Sequence, residues 1–195
     1  GIDFFPLTID FEERLYSIGK IPGGFFKREG RPSTDSILIN RLTDRPLRPL
    51  FPKGFLNEVQ IIITSLSSDQ ETPLDTLSIL GASAALSISD IPFNGPISAT
   101  RIAYINGSLI TNPTYSDLES SELDLVAASN KDGIIMIEAG ANELPDDLVV
   151  EAIALAHETN QELIEMQNDL VKKIAPTKQS FVSAAYPDEL KNLIS

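Results

Sequence analysis

The sequence contains no cysteine and a single histidine, His157. Without cysteine there are no disulfides and no thiolate metal sites, a composition that fits a reducing compartment. One histidine excludes His-cluster metal centres and argues against a Ser-His-Asp triad. It falls in a helical stretch beside Glu158, where a surface or core role is the ordinary one. No apolar run reaches the roughly 18 residues that a membrane-spanning helix needs, and the first residues lack the pattern of a signal peptide. Neither GxGxxG after a strand nor GxxxxGK[ST] is present, so the phosphate cradles of dinucleotide-binding and P-loop proteins are absent. What is present is a composition that can bury a core. Of 195 residues, 42% are hydrophobic, and the mean hydropathy is +0.01. The length suits one large domain, or one domain with an appendage.

The net charge of −13 is unevenly spread. Between Arg14 and Lys53, nine cations face only Glu29, Asp35 and Asp44, so this segment stands at +6 and the remainder at −19. Such asymmetry suggests a polyanion-binding face on an acidic body. The alternative is structural, with some of these arginines paired to acids distant in sequence.

The pattern along the chain alternates strands and helices. Residues 3–11 and 58–66 read as strands, the second rich in β-branched residues. Residues 33–45 read as a helix capped by Ser33, with Ile37, Leu38 and Leu42 as its apolar stripe and Pro46 as its stop. On it Arg41 and Arg45 are spaced i, i+4 and share a face. Residues 75–89 read as a buried helix in which Gly81, Ala82, Ala84 and Ala85 admit a close neighbour. Strands follow at about 98–105, 123–128 and 134–138, with turns at Asn106-Gly107 and Asp132-Gly133. Pro145 opens a long amphipathic helix to 174, with Asp146 and Asp147 at its positive end and Lys172 and Lys173 at its negative end. From Thr177 a polar linker is expected, with a further helix from Pro187. The chain starts without methionine and at once in strand-like alternation, so it reads as a fragment of a longer protein.

Two sites stand out. Asp117, Glu119, Glu122 and Asp124 form a carboxylate cluster that either holds Mg²⁺ or is a solvated acidic loop. Asp124 is set apart from the rest because it leads into the apolar run Leu125-Val126-Ala127-Ala128. The second is Gly23-Gly24-Phe25-Phe26-Lys27-Arg28-Glu29-Gly30-Arg31-Pro32. Its glycines and prolines disfavour a strand or helix, so the paired rings are harder to bury. Aromatic faces beside Lys27, Arg28 and Arg31 are the combination that binds single-stranded nucleic acid, bases stacking while cations track phosphates. Core burial of both rings is the competing reading.

Four stretches, "FFPLTIDFEERLYSIGKIPGGFFKREGRPS", "LINRLTDRPLRPLFPKGF", "ILGASAALSISDIPFNGPI" and "LDLVAAS", resemble the first RNase PH-like core domain of the bacterial and organellar polynucleotide phosphorylase family. The similarity runs from Gly1 to about Pro176. It implies an α/β fold of the α+β type, with a mixed sheet and helices, in the superfamily RNase PH shares with a ribosomal-protein domain. It also implies that upstream strands belong to the fold, and that residues 177–195 begin a linker into an all-helical domain. The family consists of phosphorolytic 3′→5′ exoribonucleases that use inorganic phosphate and Mg²⁺ and release nucleoside diphosphates. Three chains, each with two RNase PH-like domains, form a ring in a bacterial cytoplasm or an organelle. The paired-phenylalanine loop then lines the channel, which assigns RNA contacts to Phe25, Phe26, Lys27 and Arg28. Lys27 stands where arginine is common, keeping the charge without the planar fork. Arg31, Arg41, Arg45 and Arg48 join the RNA path.

The resemblance also implies losses. Where the catalytic copy has a phosphate-binding serine stretch, this chain has Pro73-Leu74-Asp75-Thr76. Val126 replaces a lysine and Leu118 an upstream acid, leaving Asp124 as a vestige. No group is then evident that stabilises charge developing on the phosphate. The expectation is a domain without catalytic or metal-binding residues, which grips RNA and builds the ring. A self-sufficient RNase PH-type enzyme and a purely structural assembly domain are the alternatives.

Overall fold

The computed structural model describes residues 4–183. Strand β1 (Leu7–Glu12) pairs in parallel with β2 (Val59–Thr64), Leu7 opposite Val59. The period-2 alternation of β1 buries Leu7, Ile9 and Phe11. Between these strands lies helix α1 (Thr34–Leu47). The Ser33 hydroxyl caps it by accepting from the Ser36 amide at 3.0 Å, with Asp35 in the first turn.

Two expectations for α1 fail for one reason. Pro46 does not end the helix, which continues through Leu47 into a 3₁₀ turn, Arg48–Leu50. Pro46 and Leu47 are fully buried, and that packing outweighs the backbone hydrogen bond a proline forfeits. Nor do Ile37 and Leu38 form the inner stripe, being 50% and 55% exposed. The inner face is Ser36, Leu42, Thr43, Pro46 and Leu47. Ser36 sits there because β1 offers it a partner: its hydroxyl donates to the Phe11 carbonyl at 2.6 Å, and beside it the Phe11 amide donates to Asn40, whereas the buried Thr43 hydroxyl finds no partner among the described residues.

Helix α2 (Asp75–Ile88) buries Ser78, Ile79, Ala82, Ser83 and Leu86. Its close contact is not at Gly81, where an added Cβ would meet nothing within 4 Å. Four antiparallel strands follow: β3 (Ser98–Ile105), β4 (Ser108–Thr111), β5 (Leu123–Ser129) and β6 (Ile134–Ala141), in the order β4-β3-β5-β6. The expected turn Asn106-Gly107 has positive φ at both residues (51° and 81°), the requirement of a two-residue hairpin; it delivers β4, a strand the sequence pattern did not single out. A short helix, α3 (Tyr115–Leu118), is closed by a Thr114–Asp117 capping box. The long helix α4 (Asp146–Ile174) matches expectation.

The four-stranded sheet is covered on both faces. Ile102, Leu123, Leu125 and Ala127 pack with Ala152 and Ala156 of α4. Ala99, Val126, Ala128 and Met136 join the core shared with α1, α2, β1 and β2. Asn160 of α4 is fully buried and satisfied: Thr100 donates to it at 2.8 Å, and it donates to the Ala127 carbonyl and the Ser129 hydroxyl at 3.0 and 2.9 Å. The α/β reading with parallel and antiparallel pairing therefore stands, the two kinds divided between two sheets. The helix expected from Pro187 lies outside the described residues.

Candidate functional site

The paired phenylalanines project from the loop that precedes α1. Glu29 anchors the loop base by accepting from the Leu15 amide at 3.0 Å. Gly24 and Lys27 both take left-handed backbone (φ 74° and 49°), which curls the tip. Phe25 is 92% exposed and Phe26 78%. Their ring centroids lie 5.4 Å apart at 88°, and the Arg28 guanidinium sits 6.0 Å from the Phe26 centroid. Core burial is thereby excluded for this chain on its own. Leaving two large apolar side chains in water forgoes roughly 1.5–3 kcal/mol each, so such a pair marks a surface made to be covered.

The predicted cations divide by circumstance. Among the described residues Lys27, Arg28, Arg31 and Arg41 make no ion pair. Arg41 and Arg45 border a shallow groove with Leu7, Thr8 and Ile9, while Arg31 lines a separate one; Asn40 lies on both. Arg45 is paired with Glu138 at the surface. Arg48 is committed to the fold. It forks onto Asp44 at 2.7 and 2.9 Å and donates to the carbonyls of Phe5 and Leu7, clamping the strand entry. The loop tip forms its own hollow, lined by Gly23 to Arg28, so the tip and the α1 arginines do not converge on one cleft.

Asp124 lies in a different place, a cleft of about 520 Å³ between α1 and the sheet. Sheet register builds it. Asp124 faces Ala103 and Gly140, while Val126 faces Arg101 and Glu138, so Arg101, Asp124, Val126 and Glu138 share one face. Asp75 enters from the first turn of α2 and Tyr115 from α3. Neither serine nor lysine lines the cleft, and Leu118 is not part of the lining. The occupant that sequence reasoning missed is Arg101. Its Nε and Nη2 donate to Asp124 at 2.7 and 3.2 Å, and its Nη1 donates to Asp75 at 2.8 Å. Burial works to lower the pKa of Arg101, but the Asp124 hydrogen bond and the charges of Asp75 and Asp124 outweigh it, leaving the pKa above its ordinary value. Burial, helped by Asp75, pushes the Tyr115 hydroxyl up. A lone charge in an otherwise uncharged strand, SATRIAYI, was the available signal.

The cleft therefore does hold a cation, but one already used. Both carboxylates accept from Arg101, which commits three of its five N–H groups to them. This donor set does not suit a divalent metal either: among the described residues no group of three or more His, Cys, Asp or Glu is placed to hold one. The sequence cluster is dispersed, Asp117 being spent on its capping box, whose Thr114 amide and hydroxyl hold its carboxyl below the usual range. His157 lies half-buried on α4 beside Gln161. Among the described residues no helix is long and apolar enough to cross a membrane.

Two family models match this chain: the 3′ exoribonuclease family, domain 1, over residues 1–92, and the same family, domain 2, over residues 95–159. Among curated proteins it is 51% identical over all 195 residues to the polyribonucleotide nucleotidyltransferase of Dehalococcoides mccartyi, covering 27% of that protein. It is also 51% identical to that of Chloroflexus aurantiacus and 50% identical to that of Caldicellulosiruptor saccharolyticus, over 26% and 28% of their lengths. The chain thus spans about a quarter of the curated relatives it matches.

Proposed function

Because the chain belongs to the 3′ exoribonuclease family, as the first RNase PH-like core domain of a polyribonucleotide nucleotidyltransferase, we propose that it is the RNA-gripping, non-catalytic half of a phosphorolytic 3′→5′ exoribonuclease. In the whole protein, inorganic phosphate attacks the terminal phosphodiester of single-stranded RNA and a nucleoside diphosphate leaves. A second RNase PH-like domain carries that chemistry, with its phosphate and Mg²⁺ sites. Three chains close a ring in the bacterial cytoplasm. Residues 1–176 are the core domain, and 177–195 lead out of it.

The observation that carries this reading is the pair Phe25 and Phe26, almost fully exposed beside Lys27 and Arg28. Ring faces suit unstacked bases, and free cations suit the phosphates between them. Arg31 and Arg41 extend the positive track, Arg45 contributes by exchanging Glu138 for phosphate, and Arg48 acts only through the fold. The Arg101 network supports the non-catalytic role, because the one cation of the cleft commits three of its five N–H groups to two aspartates, whose negative charges oppose a phosphate beside them.

Fluorescence anisotropy with the full-length protein tests this. A labelled unstructured RNA is expected to bind more tightly than a duplex of the same length, with affinity that falls as salt rises. Undetectable or salt-independent binding would favour the structural reading of the arginines.

A further inference from the structure

The polar segment after α4 does not run free. Lys178 reaches the C-terminal end of α2, and its ammonium donates to the carbonyls of Leu86, Ser87 and Ser89 at 2.8, 3.0 and 2.8 Å. Those are carbonyls at the helix end, where backbone partners run out and the dipole is negative, and the Leu86 carbonyl also accepts from the Ser89 hydroxyl at 2.9 Å. An ammonium has three protons, and all three are used. One residue on, the Gln179 amide donates to the Asp90 carbonyl at 2.7 Å, and its side-chain amide donates to the Asp90 carboxylate. Two residues further, the Phe181 ring stands edge-on to Phe55, centroids 5.3 Å apart, and joins the aromatic cluster of Phe5, Phe51, Phe55 and Phe93. Ser183 ends the run with a long hydrogen bond to the Lys53 carbonyl.

The geometry points to a clasp: residues 178–183 strap the end of α2 to the Pro52–Phe55 turn, with Lys178 as a removable C-cap and Phe181 as its anchor. It is distinct from the RNA-gripping loop and fixes the path on which the chain leaves the domain. Its parts are few and lie at the surface, so it opens as a local unit while the sheet stays closed. Its opening is readable at the amine, because an ammonium donating to three carbonyls cannot attack an acylating reagent. Burial of the docked ammonium lowers the Lys178 pKa, a shift that goes when the strap opens, so slow acylation of the docked amine reads its three hydrogen bonds and not its pKa.

The test is competitive acylation of the full-length protein by a succinimidyl ester, read residue by residue by mass spectrometry. Lys173 on α4 is the internal reference: both lysines are exposed, so a difference in rate reads the engaged ammonium of Lys178 and not burial of the residue. Lys178 is expected to react roughly tenfold or more slowly than Lys173. Phe181→Ala leaves Lys178 untouched but should raise its rate to that of Lys173. Amide exchange at residues 87–90 should then quicken while β3 and β5 stay protected. Should Phe181→Ala disturb the core, Gln179→Ala gives a milder second release with the same expected direction. Equal rates for Lys178 and Lys173 in the parent would show the strap undocked and overturn the proposal. So would a Lys178 rate unmoved by both variants, since the contacts would then be independent rather than one clasp.

Discussion

Arg101→Met isolates the charge network of the cleft while keeping most of the aliphatic stem. The guanidinium serves two carboxylates of different circumstance. The Asp124 side chain is 47% exposed, so water replaces its lost partner, and that arm contributes about 1 kcal/mol or less. The Asp75 side chain is only 11% exposed. After the change it keeps one donor, the Thr76 amide at 2.8 Å, and otherwise stands as an unpaired charge against α2 and the sheet. Removing one partner of a buried pair costs roughly 3–5 kcal/mol when both are dry. With one arm wet, we expect a loss of about 2–4 kcal/mol, or about 5–15 °C in Tm for a chain of this length. Urea unfolding of parent and variant measures it. Asp75→Asn in the Arg101→Met background should restore part of the loss, because the stranded charge is gone. A loss below about 0.5 kcal/mol for Arg101→Met, or strict additivity in the double variant, would refute the network as described.

Three further outcomes are expected. Asp124→Asn in the full-length enzyme should leave kcat for phosphorolysis nearly unchanged; a loss comparable to removing an aspartate of the second domain would mean that this cleft works. Asn160→Ala strands Thr100 and Ser129 in the sheet–α4 interface and should cost about 2–3 kcal/mol in urea unfolding. Asp69 accepts from the Thr72 and Glu71 amides and the Thr72 hydroxyl, which lower its pKa to about 2. Its stabilising contribution is therefore full above the ordinary carboxylate range and is lost as pH falls through about 2, so the unfolding curves of parent and Asp69→Ala should differ near neutrality and converge in acid.

What could be read in advance follows from where the determinants lie. Ser33, Pro145 and Asn106-Gly107 carry their instructions locally, in caps and turn angles, and all three occur where the pattern placed them. The exposed loop was legible because glycine, proline and charge all oppose burying Phe25 and Phe26. Pro46 and the inner face of α1 were misread because their settings are tertiary: Ser36 and Asn40 face inward only because the Phe11 backbone meets them. Arg101 escaped notice because its partners lie 23 and 26 residues away and meet it only through sheet register and the approach of α2. The clasp at Lys178 has the same origin, its acceptors lying about 90 residues upstream.

The central claim is that two exposed phenylalanines and their neighbouring cations hold single-stranded RNA. Its most direct test is the salt-dependent affinity of full-length Phe25→Ala/Phe26→Ala for a long unstructured RNA, with Lys27→Ala/Arg28→Ala alongside. Stacking contributes roughly 1–3 kcal/mol per base, so the phenylalanine variant should bind at least about fivefold more weakly with its melting temperature and salt slope unchanged. The cation variant should instead flatten the log–log salt dependence by about 0.7 for each phosphate that is no longer neutralised. Unchanged affinity in the phenylalanine variant, with the fold intact, would contradict the claim.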